Sequence, residues 1–180
     1  GVRREKYVDD SSPSIVNNHE KCILCGRCVK VCSQIQNISA IDYANRGFDT
    51  VIVPAFNDKI ANSVCTLCGQ CVNVCPTAAL TEKNYTQDVF ALLNDKTKIK
   101  VAQVAPSVRV AIGEAFGIPA GNNMEREIAH ALKLLGFDYV FDSQFSADLT
   151  IMEEASELLE RLNGKGKLPM ITSCSSGWMK

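Results

Sequence analysis

Hydrophobic positions fall into two regimes along the chain. Through residues 19–84 they come in short runs broken by turn residues. From about residue 86 they acquire periods of element length. IKVAQVA, residues 99–105, has the length and content of a buried strand. SVRVAIGEAFG, 107–117, predicts a helix that ends at glycine. In 124–135, Met124, Ile128, Ala131, Leu132 and Leu135 share one helical face, and Gly136 stops the helix. A short strand is predicted over 137–142, around Tyr139-Val140-Phe141. A helix follows from about 148 to 162, ended by Asn163-Gly164, and LPMITS, 168–173, reads as a third strand. Strand–helix alternation of this kind predicts a parallel sheet with helical crossovers.

The earlier part is organised differently. Residues 1–18 are polar and mixed, with Ser11-Ser12-Pro13-Ser14 as a loop, and read as a linker from something upstream. An Asn45-Arg46-Gly47 turn precedes a β-rich stretch from Phe48 to Val53, which predicts a small hairpin or paired strand. The domains are therefore expected at 1–18 (linker), 19–86 and 87–180. The fold class expected is a small α+β domain followed by an α/β parallel-sheet segment.

Composition narrows the function. Apolar residues make up 46% of the 180 residues and charged residues 22%, the balance of a globular protein. A net charge of −1 advertises neither nucleic acid nor an anionic membrane as partner. No apolar run approaches the roughly 20 residues that span a bilayer. The chain opens on Gly1 and stops at Trp178-Met179-Lys180 without a turn signal, so it is expected to be a piece of a longer protein. Nine cysteines are many for this length, and eight of them fall in two tight runs of one spacing. A secreted disulfide framework would not need that repeat. The repeat points to metal binding in a reducing, cytoplasmic compartment.

The runs are CILCGRCVKVC, with Cys22, Cys25, Cys28 and Cys32, and CTLCGQCVNVCP, with Cys65, Cys68, Cys71 and Cys75. Three thiolates in one tight loop suit three corners of a [4Fe–4S] cubane. The fourth cysteine lies about one helical turn on and points toward the other cluster. The ligand sets are thus predicted to be crossed: Cys22, Cys25, Cys28 and Cys75 on one cluster, Cys65, Cys68, Cys71 and Cys32 on the other. Zinc would use two C-x2-C pairs and leave the third cysteine of each run idle. Gly26 and Gly69 follow the second cysteine of each run, where they let backbone N–H groups approach sulfur. Ser33, not proline, follows Cys32. His19 precedes Cys22 by three residues and is read as a surface histidine, the ligand positions being filled. His130 needs no role beyond packing or solvent contact.

In a parallel sheet, chemistry gathers outside the carboxyl ends of the strands. Here those ends are Pro106-Ser107, Asp142-Ser143 and Cys174-Ser175. Cys174 is either a site residue or a small buried thiol. Glu154, Glu157 and Arg161 share one helical face, which by pattern alone is a solvated one.

The cysteine runs, then AQVAPSVRVAIGEAFG, LGFDYVFDSQFSADLTIMEEASELLERL and LPMITSCSSGW, closely resemble [FeFe] hydrogenases. The resemblance covers nearly everything past residue 18, in the family's order. It implies a ferredoxin-like domain with two [4Fe–4S] clusters and the opening part of the catalytic domain. The spacing resembles the clostridial monomeric type or the large subunit of NADH-linked, electron-bifurcating complexes. In that family hydrogen is made or split at an H-cluster, a cubane joined through a cysteine to a diiron unit. By resemblance Pro106 and Ser107 contact that unit, and Cys174 passes protons to it. Glu157 and Glu154 continue the proton relay, with Arg161 beside them. Implied partners are a ferredoxin or an NADH-linked subunit, together with the rest of the hydrogenase chain. One departure stands out. The family motif TSCCP is TSCSSG here, so Ser175 occupies a cubane-ligand position, where an alkoxide is a poor ligand. Either Cys174 takes over ligation or the site is altered. The family's other H-cluster cysteines lie in motifs beyond Lys180, so these residues alone are expected not to assemble that site. The competing expectations are an electron-transfer module without its own catalysis, and a hydrogenase-like iron–sulfur assembly protein.

Overall fold

The computed structural model describes residues 7–172. The chain divides into two compact units between Asn84 and Tyr85. In chain order the first unit carries β1 (Val8–Asp9), β2 (Ile15–Asn18), α1 (Arg27–Lys30), β3 (Asp42–Ala44), β4 (Val51–Val53), α2 (Gln70–Asn73) and β5 (Leu80–Glu82).

Strands β1, β2 and β5 form an antiparallel sheet in that order, with Ile15 opposite Glu82 and Asn17 opposite Leu80. Strands β3 and β4 form a separate antiparallel pair, Tyr43 opposite Ile52. The turn between them uses Asn45 and Gly47 at φ 62° and 61°, so the hairpin expected near Phe48–Val53 is present with its regular part at 51–53. The core is small: Ile15, Cys28, Ile41, Ile52, Ile60 and Leu80 are buried together. Five more cysteines, Cys22, Cys32, Cys65, Cys71 and Cys75, pack against it.

Residues 8–18 are not a linker. Ile15 and Asn17 alternate inward on β2 and are buried, which commits this stretch to the first unit's sheet. Ser12 is wholly buried, its Oγ accepting from the N–H groups of Ser14 and Ile15 at 3.2 and 3.3 Å. Asp9 is buried as well. It accepts from Ile60 N–H at 2.8 Å and Ser11 N–H at 3.0 Å. Burial alone would raise its pKa, but these hydrogen bonds and nearby Lys59 outweigh burial and hold it below the usual carboxylate value. His19 also departs from expectation. It is buried, because it ends the inward-facing row of β2: Tyr7 packs on its ring at 4.8 Å, and Asn17 Nδ2 lies 3.0 Å from its Nε2.

The second unit contains α3 (Thr86–Asn94), β6 (Val101–Val104), α4 (Pro106–Ala115), α5 (Glu125–Leu135), β7 (Tyr139–Asp142) and α6 (Ser143–Glu160), with a π-helical turn over Arg161–Lys165. Strands β6 and β7 pair in parallel, Val101 opposite Tyr139 and Val104 opposite Asp142, with α4 and α5 in the connection. Pro106 opens α4, where a missing N–H costs nothing. Gly136 at φ 107° closes α5. Helix α6 begins five residues earlier than its apolar pattern suggests. Asp142 caps it, its side chain accepting from Gln144 N–H at 3.0 Å. The strand expected at 168–173 is not formed over the described residues 168–172. Pro169 has no N–H to give a ladder, and Thr172 spends its hydroxyl on Glu154.

Asp9 yields a stability prediction. Asp9→Ala leaves the buried Ile60 N–H without its acceptor and is expected to cost about 1–3 kcal/mol at pH 7 by urea unfolding. The contribution of Asp9 is fully present above its unfolded pKa and is lost as pH falls through the lower, folded one. The gap between native and variant should therefore narrow in the acid range. A gap that held constant down to pH 2 would contradict the assignment.

Candidate iron–sulfur site

Both cysteine runs adopt one backbone form. Leu24 and Leu67, between the first and second cysteines, have φ of 57° and 60°. Gly26 and Gly69, after the second, have φ of 72° and 73° and precede α1 and α2. A left-handed leucine costs on the order of 1 kcal/mol. Each run carries one at the matched position, with a left-handed glycine two residues on, which marks a conformation imposed by what the loop encloses. The leucines were not legible as special from sequence; only their equivalent places in the repeat could have pointed to them.

The eight cysteines are free thiols. Cys32, Cys65, Cys68 and Cys71 line one cavity, floored by Ile15, Ile41, Ile60 and Leu80. Cys28 is pushed up to about 11, first by burial and then by neighbouring Cys22 and Cys25. Cys71 is pushed up to about 12, by burial and then by Cys65, Cys28, Cys68 and Cys32. The neighbours are thus other thiols. Cys28 and Cys71 hold their protons until a metal displaces them.

Hydrogen bonds to sulfur come from backbone N–H groups. Leu24 N–H donates to Cys22 Sγ at 3.4 Å, Ala40 N–H to Cys32 Sγ at 3.3 Å and Leu80 N–H to Cys75 Sγ at 3.5 Å. Burial works to raise the Cys75 pKa, but donors from Leu80, Thr77 and Ala79 lower it overall. The glycines supply the left-handed turn into each helix, and the N–H groups that reach sulfur include those of Leu24, Ala40, Leu80, Thr77 and Ala79. Among the described residues no three His, Cys, Asp or Glu side chains are grouped to hold a single ion. A cubane gives each thiolate its own iron and needs no such convergence. The donor set fits two cubanes.

In the second unit, the carboxyl ends of β6 and β7 open on a cavity lined by Val104, Pro106, Arg109, Glu125 and Asp142. Pro106 and Ser107 begin α4 at its edge. Arg109, which sequence reasoning passed over, lies 3.8 Å from Glu125 and ties α4 to α5. On α6, Arg161 binds Glu157 through both Nε, at 2.9 Å, and Nη2, and its Nη1 donates to Lys167 O at 3.0 Å. Thr172 Oγ1 donates to Glu154 Oε2 at 2.9 Å. Glu154 and Arg161 thus tie the 167–172 segment to α6. Glu157 is about half exposed and ion-paired, so its face of the helix is partly wet. Cys174 and Ser175 lie outside the described residues.

This is the arrangement of an iron–sulfur protein, and the comparisons carry the class further. Residues 21–79 match the 4Fe-4S dicluster domain, and residues 98–180 match the C-terminal domain of the iron only hydrogenase large subunit. The chain is 46% identical, over its whole length, to the NADP-reducing hydrogenase subunit HndD of Solidesulfovibrio fructosivorans, covering 32% of it. It is 44% identical to iron hydrogenase 1 of Clostridium pasteurianum over 98% of this chain and 31% of that one. Apo [FeFe]-hydrogenase HydA1 from Chlamydomonas reinhardtii, in a variant form, aligns over 53% of this chain and 26% of its own at 46% identity, with a TM-score of 0.47. The chain is similar to the iron-only hydrogenase large subunits, and it spans about a third of the length of the curated relatives it matches. The cofactors that go with these two domains are two [4Fe–4S] clusters and an H-cluster.

The two glycines separate in a test. A Cβ at Gly26 would collide with the Tyr43 hydroxyl, which donates to Leu24 O at 3.2 Å, whereas a Cβ at Gly69 meets nothing within 4 Å. Gly26→Ala is expected to lose one cluster's worth of iron on reconstitution. Gly69→Ala, carrying backbone strain of only about 1 kcal/mol, should retain both. Equal iron content in the two variants would refute this difference.

Proposed function

We propose that the protein is part of an [FeFe] hydrogenase catalysing 2H⁺ + 2e⁻ ⇌ H₂, and that residues 19–86 relay electrons through two [4Fe–4S] clusters. The observation that carries the reading is the single cavity lined by Cys32 together with Cys65, Cys68 and Cys71. It supports crossed ligation, with Cys22, Cys25, Cys28 and Cys75 as the other set. The clusters supply one-electron storage and transfer, and the H-cluster supplies the hydrogen chemistry. The chain's own residues do the rest. Ile15, Ile41, Ile60 and Leu80 keep water from the thiolates. Backbone N–H groups of Leu24, Ala40 and Leu80 stabilise negative charge on sulfur, which favours the reduced state.

The ferredoxin-like fold of the first unit and the partial α/β catalytic domain of the second belong to the same reading. So do Pro106, Ser107 and Ser175 at the H-cluster, and Cys174, Glu154, Glu157 and Arg161 as its proton path. Arg161 holds the Glu157 carboxylate in place through its Nε and Nη2. The electron donor is a ferredoxin or a nicotinamide-linked subunit, in the cytoplasm. Among the described residues no helix is long and apolar enough to cross a membrane.

Anaerobic reconstitution is expected to give about eight irons and eight sulfides per chain. Cys75→Ala should then abolish the cluster of the 22–28 loop and spare that of the 65–71 loop. One zinc per chain, or loss of only the 65–71 cluster, would sink the proposal. Residues 1–180 by themselves should take up electrons without evolving hydrogen. In a complete enzyme, Glu157→Gln should lower turnover by a factor on the order of 10²–10⁴ with all clusters retained. Full turnover would remove this helix from the proton path.

A further inference from the structure

The two cysteine runs differ after their fourth cysteine. Pro76 follows Cys75, and no helix continues there. Ser33 follows Cys32, and the chain runs on as a π-helical turn over Val31–Ile35, with Gln36 N–H donating to Val31 O at 3.0 Å. Single π-turns are frequent at functional sites.

The segment after this turn folds back over Cys32. Ile38 and Ser39 N–H donate to Cys32 O at 2.9 and 3.3 Å, and Ala40 N–H to Cys32 Sγ. Asn37 and Ser39 are both left-handed, at φ 54°, and both exposed. The alternate residues Gln36, Ile38 and Ala40 line the cavity of Cys32, Cys65, Cys68 and Cys71. Two of these three are apolar, as suits a wall that excludes water. The third is a carboxamide. No lysine, arginine or carboxylate lines this cavity, and the half-buried Gln36 amide has no partner among the described residues. The matched position of the other run, four residues past Cys75, is Ala79, which has no side-chain donor.

We propose that Gln36 is a cofactor-contacting residue: its carboxamide N–H donates to the cluster of Cys65, Cys68, Cys71 and Cys32 and makes that cluster the readier of the two to accept an electron. The proposal rests on the crossed ligand assignment above, which places Cys32 on that cluster. On reduction the cluster gains one electron; the amide proton stays on Gln36, and no bond is made or broken. A donor binds the more negative state more strongly, so it favours the reduced cluster. With Ala79 in the matched place, the other cluster has no such side-chain donor. An electron is therefore held better on the 65–71 side of the relay.

The test uses the reconstituted 180-residue chain and a redox titration followed by EPR. It is run in the parent chain and in Cys75→Ala, where the 65–71 cluster alone should remain. Gln36→Leu keeps the side chain's bulk and removes the donor. At a fixed potential it should lower the reduced-to-oxidised ratio of the 65–71 cluster by a factor on the order of 10, a midpoint fall of about 59 mV. The cluster of the 22–28 loop should keep its midpoint, and iron content should stay at the parent value. Pulsed ENDOR of the reduced cluster, compared in H₂O and D₂O, should lose one exchangeable proton coupling. Should Gln36→Leu load less iron, Gln36→Asn, which holds the carboxamide on a shorter arm, carries the same test with the same sign. Gln70→Leu and Thr66→Val remove the rival polar groups of the cavity and should leave the midpoint unchanged. The proposal is overturned if Gln36 variants with full iron keep the parent midpoint, if the Gln70 or Thr66 variant carries the shift instead, or if the 22–28 cluster shifts equally. Loss of the 65–71 cluster in Cys75→Ala would instead overturn the ligand assignment, an outcome read before any Gln36 variant is made.

Discussion

Crowding eight thiols into one small unit is the constraint from which the first half of this protein follows. Six residues make up its buried core, and one of them is Cys28. A core of that size stabilises a fold only marginally, so further free energy must come from elsewhere. The thiols are the available source. Cys71 has four other cysteines acting on its ionisation, and burial among them pushes its pKa up to about 12, so this thiol holds its proton until metal binds. Iron displaces such protons and, in the crossed assignment proposed above, links Cys75 to the loop ending at Cys28, 47 residues earlier. Metal binding and folding of this unit are therefore one process. The left-handed Leu24 and Leu67 are conformations that such a process sustains and that local preference alone would not.

The second unit obeys a different economy. Among its described residues only Gly113 is buried. Helix α6 exposes Phe145, Leu149, Ile151, Met152, Leu158 and Leu159, which share one half of its circumference, opposite Glu153, Glu154, Glu157 and Glu160. An apolar face of that width is built to be covered. The outward face of the parallel pair is similar, with Val101, Tyr139 and Phe141 exposed and the two rings stacked at 6.2 Å. A two-stranded parallel sheet has no second layer over that face.

How much of this was legible in the sequence depends on the range of the interactions. Cysteine spacing, the Gly136 stop and the Asn45-Gly47 turn are local, and each led to the element observed. Helix α6 was placed late because its cap, Asp142, carries no apolar signal. The linker expected over 1–18 failed for a non-local reason. Asp9 is held by Ile60, 51 residues away, and Ile15 by β5, so polar composition concealed a structural segment. His19 was misplaced in the same way, since its burial depends on Tyr7, twelve residues earlier, packing on its ring. The site chemistry was legible where ligands repeat and opaque where single contacts decide, as with Arg109 and Thr172.

The repeat itself is informative where it fails to repeat. Two loops of one spacing, one backbone form and one ligand type would give two equivalent clusters, and a relay between equivalent sites has no preferred direction. Three substitutions break the equivalence without touching a ligand. Tyr43 closes over Gly26 while the space beside Gly69 stays open. Arg27 and Lys30 face Gln70 and Asn73 at matched positions. Ala40 donates to Cys32 from eight residues on, while Leu80 donates to Cys75 from five, so the loops that solvate the two fourth cysteines differ in length. Shielding, surface charge and hydrogen bonding to sulfur each shift how readily a cluster accepts an electron. The cysteine spacing thus sets what is bound, and the residues around the cysteines make the two sites unequal.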